Sequence, residues 1–112
     1  MIKIMSFGFK SGDVPNPPAQ VIDVRRMRNP YYDPILRPID GRDAKVQNFV
    51  RHDPRFHELR TTAISMLDDG DAIAFGCMGG RHRSVAMAEI VAAQLREEGH
   101  EVEVIHRELV AA

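Results

Sequence analysis

The chain has 112 residues, with 15 Lys+Arg against 16 Asp+Glu and a net charge of -1, which is enough to bury roughly two-thirds of the unfolded surface in a single core. Its 44% hydrophobic and 28% charged residues exclude a disordered chain, and the balanced charge gives no bulk attraction for nucleic acid or membrane. One cysteine excludes an internal disulfide or a four-cysteine zinc site, and the longest stretch free of charged or strongly polar residues, 72–80, is too short to cross a bilayer.

Met1-Ile2-Lys3-Ile4 lacks the basic-then-apolar layout of a signal peptide, so a cytoplasmic location is expected. Ile2, Ile4 and Phe7 predict an edge or half-buried strand. Residues 8–20 carry Pro15, Pro17 and Pro18 and are not helix. Residues 21–24 predict a second strand; 29–34, with Pro38 beyond, predict loop. A short helix is expected over 41–51 with Asp40 as its cap. Asp53 followed by Pro54 reads as an N-cap and first helical position, with Phe56, Leu59, Ala63 and Leu67 on one face. The run 68–71 ends that helix.

Residues 72–75 are apolar on both faces, as a central parallel strand covered by helices is. Ser84 caps a last helix whose Val85, Ala88, Ala92 and Leu95 recur at helical spacing, and Gly99 stops it. Val102 and Val104, alternating with Glu101 and Glu103, predict an exposed fourth strand. The expected fold is therefore a single small α/β domain over 1–112. It has a mainly parallel four-stranded sheet flanked by helices and a phosphatase-like phosphate-binding loop after the central strand. The pattern leaves open how the first strand reaches the second without a helix.

The chemistry concentrates in Gly76-Cys77-Met78-Gly79-Gly80-Arg81-His82-Arg83-Ser84. Ligands of parallel α/β folds bind at the carboxyl ends of strands. Two glycines bring backbone N–H groups close to a ligand, and the following helix contributes its positive end. Arg81 and Arg83 match phosphate oxygens, and Ser84 adds a hydroxyl. Cys77 and Arg83 also form C-x5-R-S, the spacing of cysteine-dependent phosphatases, with Cys77 as nucleophile and Arg83 as clamp. Against that enzymatic alternative, no spacing singles out Asp33, Asp40 or Asp53 as a general acid. The bland readings are a buried small hydrophobe at Cys77 and a solvated helix start at 81–83. The balance leans toward binding rather than catalysis, without metal or cofactor.

Four segments together resemble the C-terminal domain of the RapZ family, the bacterial RNase adapter proteins. They are Ser6-Phe7-Gly8-Phe9-Lys10 with Gly12; Asp23-Val24-Arg25 through Asn29-Pro30-Tyr31-Tyr32 to Leu36-Arg37-Pro38 and Gly41; Gly76-Cys77 through Val85 with Ala88-Glu89; and His106-Arg107. The resemblance implies a phosphosugar pocket, as for glucosamine-6-phosphate, in a metabolite-sensing adapter domain. By position that pocket includes Ser6, Asp23, Arg25, Tyr31, Cys77, Met78, Gly79, Gly80, Arg81, His82, Arg83 and Ser84. It also implies RNA, a protein partner or a homo-oligomer as partners. Family members normally carry a P-loop ATPase domain; no G-x-x-x-x-G-K-[ST] stands in this sequence, so nucleotide hydrolysis is not carried over. Met78 stands where the family usually has Thr, and Arg81 where it has Gln or Lys. Ile39-Asp40-Gly41 replaces an apolar-Thr-Gly run, and 109–112 lack a lysine-rich tail. These departures leave the sugar's identity and RNA binding open.

Bland alternatives stand beside these assignments: an Asp23–Arg25 ion pair, a core tyrosine at 31, a packed structural histidine at 106. Residues 25–60 hold nine Lys+Arg and five Asp+Glu, net +4, and the remainder holds six and eleven, net -5. A basic face for RNA and an ordinary mixed surface both fit that split.

Overall fold

The computed structural model describes residues 1–15 and 20–109. Four strands, β1 (Ile2–Gly8), β2 (Gln20–Asp23), β3 (Ala72–Cys77) and β4 (Val102–His106), form one sheet in the order β2-β3-β1-β4. All three pairings are parallel. Three helices, α1 (Ala44–Arg51), α2 (Phe56–Ser65) and α3 (Arg83–Glu97), complete the α/β domain. The fourth strand is exposed at the sheet edge, as its alternating charge predicts. The first is not an edge strand: β1 lies between β3 and β4. Lys3 misleads because it points to the sheet face opposite the helices, where even an internal strand can carry an ammonium.

The helices share one face. α3 packs against β1, β3 and β4, and α1 and α2 pack on α3. Between them Ile2, Ile4, Phe75, Val46, Met87 and Val91 are fully enclosed. The expectation that helices cover both faces of β3 is therefore corrected. Phe7 and Phe9, rings 4.9 Å apart, lie over Gly76 on the second face. A Cβ at Gly76 would sit 2.5 Å from the Phe7 ring and 2.6 Å from that of Phe9, so glycine is what lets the rings lie there.

Leaving β1, the chain makes a 3-10 turn at Phe9–Ser11. Asp13, Val14 and Pro15 then share a cleft with Lys3, Met5, Ala72 and Ile105 on the helix-free face. The strand order accounts for the face that this connection uses. β1 to β2 steps in the opposite direction from β3 to β4, so a right-handed crossing must use the opposite face. Pro17 and Pro18, expected in loop, lie outside the described residues.

Helix starts differ from expectation by one turn or less. α1 begins at Ala44 with Asp43 as its cap, the carboxylate accepting from Lys45 N. Asp40 instead accepts from the backbone and guanidinium of Arg42. α2 begins at Phe56, and the buried Asp53 carboxylate accepts from Arg28 N and Arg55 N, tying the loop after β2 to the helix start. α3 takes His82, not Ser84, as its first flanking residue, since Ser84 Oγ is committed to Cys77. Gly99, at φ 93°, ends α3 as expected. No helix among the described residues is long and apolar enough to cross a membrane.

Candidate functional site

Parallel strands place their carboxyl ends at one edge, so the segments after β1, β2 and β3 converge. Lys10 N donates to Met78 O at 2.9 Å, Val24 N to Gly76 O at 2.8 Å, and Gly41 N to Arg81 O at 2.8 Å. Backbone hydrogen bonds from three segments thus hold the end of β3 and the 77–83 loop that follows it. Gly80 takes φ 75° and lies so near β1 that a Cβ there would sit 2.6 Å from Gly8 N. Gly41 touches α3 so closely that a Cβ would lie 2.3 Å from Ala86 N.

A cavity of about 360 Å³ opens there, lined by Lys10, Asn29, Tyr31 and residues 77–83. Among the described residues its lining holds three permanent cations, Lys10, Arg81 and Arg83, and no carboxylate. Such a surface favours an anion, and partial enclosure strengthens the attraction over its value in water. Tyr31 is half exposed, with the Arg37 guanidinium 4.8 Å from its ring centroid and Arg37 Nε donating to its carbonyl. It is not a core tyrosine.

Most of the residues predicted for the site meet in this cavity: Tyr31, Cys77, Met78, Gly79, Gly80, Arg81, His82 and Arg83. Ser6, Asp23, Arg25 and Ser84 do not line it. Ser84 is fully buried behind the loop, its Oγ 3.1 Å from Cys77 Sγ, with its N–H directed at the same sulfur at 3.5 Å. Asp23 and Arg25 form a two-pronged ion pair, Arg25 Nη2 donating to Asp23 Oδ2 at 2.7 Å. Arg25 also lies over Phe9, 3.9 Å from the ring centroid.

Ser6 is buried under α3, its Oγ 2.7 Å from His106 Nδ1, while His106 Nε2 meets Glu89 Oε1 at 2.9 Å. Because a carboxylate only accepts, Nε2 carries the proton. Both ring nitrogens are occupied, as a packed structural histidine requires. The other aspartates considered as acids also have partners: Asp33 accepts from Ile35 N, and Asp53 from Arg28 and Arg55.

Lys10 and Asn29 were missed by sequence reasoning. The usable signal was topological: Lys10 follows β1 by two residues and so reaches the same edge as the β3 loop. Part of the basic middle segment forms a separate shallow cleft, where Arg28, Lys45 and His52 surround Leu36 and Phe49.

Two carboxylates near the site titrate low. The Arg42 side chain holds Asp40 below the ordinary carboxylate range, with a smaller attraction from Arg81. Arg25 does the same for Asp23. A depressed carboxylate stabilises the fold above its unfolded pKa, and that contribution disappears as pH falls through the folded value. Stability is therefore expected to decline on acidification below about pH 4. Asp40→Asn should make that decline shallower in acid denaturation followed by circular dichroism; an unchanged acid limb would contradict the assignment.

Fold and site together define a two-layer α/β domain with a cation-lined strand-to-helix loop at the carboxyl edge of its sheet. The sequence matches the RapZ C-terminal domain over residues 1–110, and the chain belongs to that family. It is 44% identical to a nucleotide-binding protein of Cereibacter sphaeroides, aligning over 96% of this chain and 39% of the relative. Identity to a nucleotide-binding protein of Laribacter hongkongensis is 45%, over 97% and 43%. To one of Dinoroseobacter shibae it is 43%, over 96% and 39%. The chain spans about two-fifths of the length of these relatives.

Proposed function

We propose that the cavity binds a phosphorylated small molecule of the phosphosugar class, such as glucosamine-6-phosphate, and that the domain acts as a metabolite-sensing adapter. The observation that carries this reading is the lining: three cations and no carboxylate around a glycine loop at a helix start. Membership of the RapZ C-terminal domain family supports it. The phosphate lies against the 78–83 loop with Lys10 and Arg81, while Asn29 and Tyr31 face the sugar. A volume near 360 Å³ suits a monosaccharide phosphate.

Calorimetric titration with glucosamine-6-phosphate and inorganic phosphate tests this directly. Arg81 is exposed and makes no side-chain bond among the described residues, so Arg81→Ala should fold normally. Loss of one charge-assisted hydrogen bond should weaken binding by about tenfold. Absence of binding to the wild type would overturn the proposal.

A second reading, a phosphomonoester hydrolase with Cys77 as nucleophile, draws on one observation. Cys77 Sγ receives the Ser84 N–H at the start of α3, and Ser84 Oγ lies 3.1 Å away, so the sulfur sits at a helix start with polar hydrogens directed at it. Among the described residues no carboxylate lines the cavity to serve as general acid. Aryl phosphate turnover that disappears in Cys77→Ser is the outcome this reading requires; equal rates in the two proteins exclude it.

A further inference from the structure

His82 and Arg83 sit in the loop, yet their polar atoms point away from its backbone. The buried His82 ring places Nε2 3.1 Å from Leu36 O, and since a carbonyl has no proton, Nε2 donates. Arg83 Nη1 donates to Arg25 O at 2.8 Å and to Met27 O at 3.1 Å. These bonds bracket residues 25–36, whose only regular structure is the 3-10 turn Pro30–Tyr32. The Met27 and Leu36 side chains enter the core near the same two points. Between them lie Asn29 and Tyr31, the two residues of the segment that line the cavity. Tyr31 and Tyr32 are 52% and 79% exposed, so their rings are not packed, whereas Pro30 between Asn29 and Tyr31 is fully buried and anchors the turn at that point. Asn29 Oδ1 accepts from Tyr31 N, which shapes the turn internally but does not attach it to the loop. Its side-chain bonds to the 77–83 loop come from His82 and Arg83, beside the packing of Pro30 and the Arg28 N bond to Asp53 Oδ2.

We infer that His82 is a positioning residue that sets the Asn29–Tyr31 wall and thereby selects organic phosphates over bare phosphate. This rests on the phosphosugar reading above. The 78–83 loop receives the phosphate whichever molecule carries it, whereas the remainder of the ligand meets only the wall. Losing the His82 bond loosens the wall on its Leu36 side, beyond the anchors at Pro30 and Met27, while the backbone of the loop keeps its supports from Lys10 N and Gly41 N. Selectivity therefore falls before phosphate affinity does.

The experiment pairs calorimetry with amide hydrogen exchange on wild type, His82→Phe, His82→Gln and Tyr31→Ala. His82→Phe keeps an aromatic ring and loses the donor; His82→Gln restores an N–H. His82→Phe should weaken glucosamine-6-phosphate about tenfold and inorganic phosphate less than about twofold. Amides in 25–37 should exchange faster, those in 85–97 should not, and His82→Gln should reverse both changes. Tyr31→Ala should lose the same selectivity without touching His82, which keeps the inference testable if His82→Phe fails to fold. Equal loss for both ligands, retained selectivity in either variant, or unchanged exchange over 25–37 overturns it. Failure of the wild type to bind either ligand overturns the phosphosugar reading itself, and the selectivity inference with it.

Discussion

Gly80→Ala is expected to lower stability by about 3 kcal/mol, the sum of a left-handed backbone penalty and an overpacking cost. Gly80 has φ 75°, and a Cβ there would lie 2.5 Å from Glu108 Cγ, 2.6 Å from Gly8 N and 2.7 Å from Phe7 C. Two of these three atoms are backbone of β1, an internal strand, so relief requires the sheet to shift. For a domain of this size such a loss lowers the melting temperature by about 15 °C. Two neighbours separate the causes. Gly12 has φ 76° with nothing within 4 Å of a built Cβ, so Gly12→Ala should cost about 1 kcal/mol from the backbone alone. Gly79 has neither constraint, and Gly79→Ala should change stability by less than about 0.5 kcal/mol. Thermal denaturation of the three variants provides the ranking; equal effects at 79 and 80 would show that the loop does not pack on β1 as described.

Arg83→Met carries the second large effect, and it falls on stability and binding together. Arg83 is 5% exposed, and its guanidinium faces no carboxylate within ion-pair distance among the described residues. Its charge is met by the carbonyls of Arg25 and Met27 and by the open cavity. Removing the charge relieves some desolvation, but two charge-assisted hydrogen bonds are lost and their carbonyls left unpaired. The loss prevails, at about 2 kcal/mol. Phosphate affinity should fall at least about tenfold. Arg83→Lys should not restore binding, because Arg83 Nη1 alone meets both carbonyls and leaves the other guanidinium nitrogens for an anion, whereas an ammonium has one nitrogen for all three. The contrast with Arg81→Ala, which should weaken binding at unchanged stability, is read by chemical denaturation beside calorimetry. Unchanged stability in Arg83→Met would mean that the two carbonyl bonds contribute nothing to holding the loop.

These two residues also show how much was legible in the sequence. The glycine loop between an apolar strand and a periodic helix stood out because strands, helices and positive-φ glycines leave composition and spacing behind them. Val85, Ala88, Ala92 and Leu95 identified the buried face of α3 from spacing alone. What Arg83 and His82 hold was not legible, since both reach backbone carbonyls, and a carbonyl has the same chemistry at every residue. The start of α1 was ambiguous for a related reason. Asp40 and Asp43 stand three residues apart, each able to accept a backbone N–H two residues on, and both do so. The internal place of β1 was hidden by Lys3, and Lys10 by the absence of any local motif. Ser6, Asp23 and Arg25 were drawn toward the site by resemblance. The structure gives each a partner of its own, His106 for Ser6 and a mutual ion pair for the other two.

The strand order has a consequence for how the chain reaches its folded state. Val21 pairs with Ala74, Ile4 with Ile73, and Ile4 again with Val104. No hairpin or local ladder exists among these pairings, so every rung of the sheet closes a loop of fifty residues or more. Helical turns can form as their segments leave the ribosome, but β1 has no partner until β3 has emerged and gains its second only with β4. Sheet assembly therefore waits on synthesis, and folding of the domain from its unfolded state should be slow for its size.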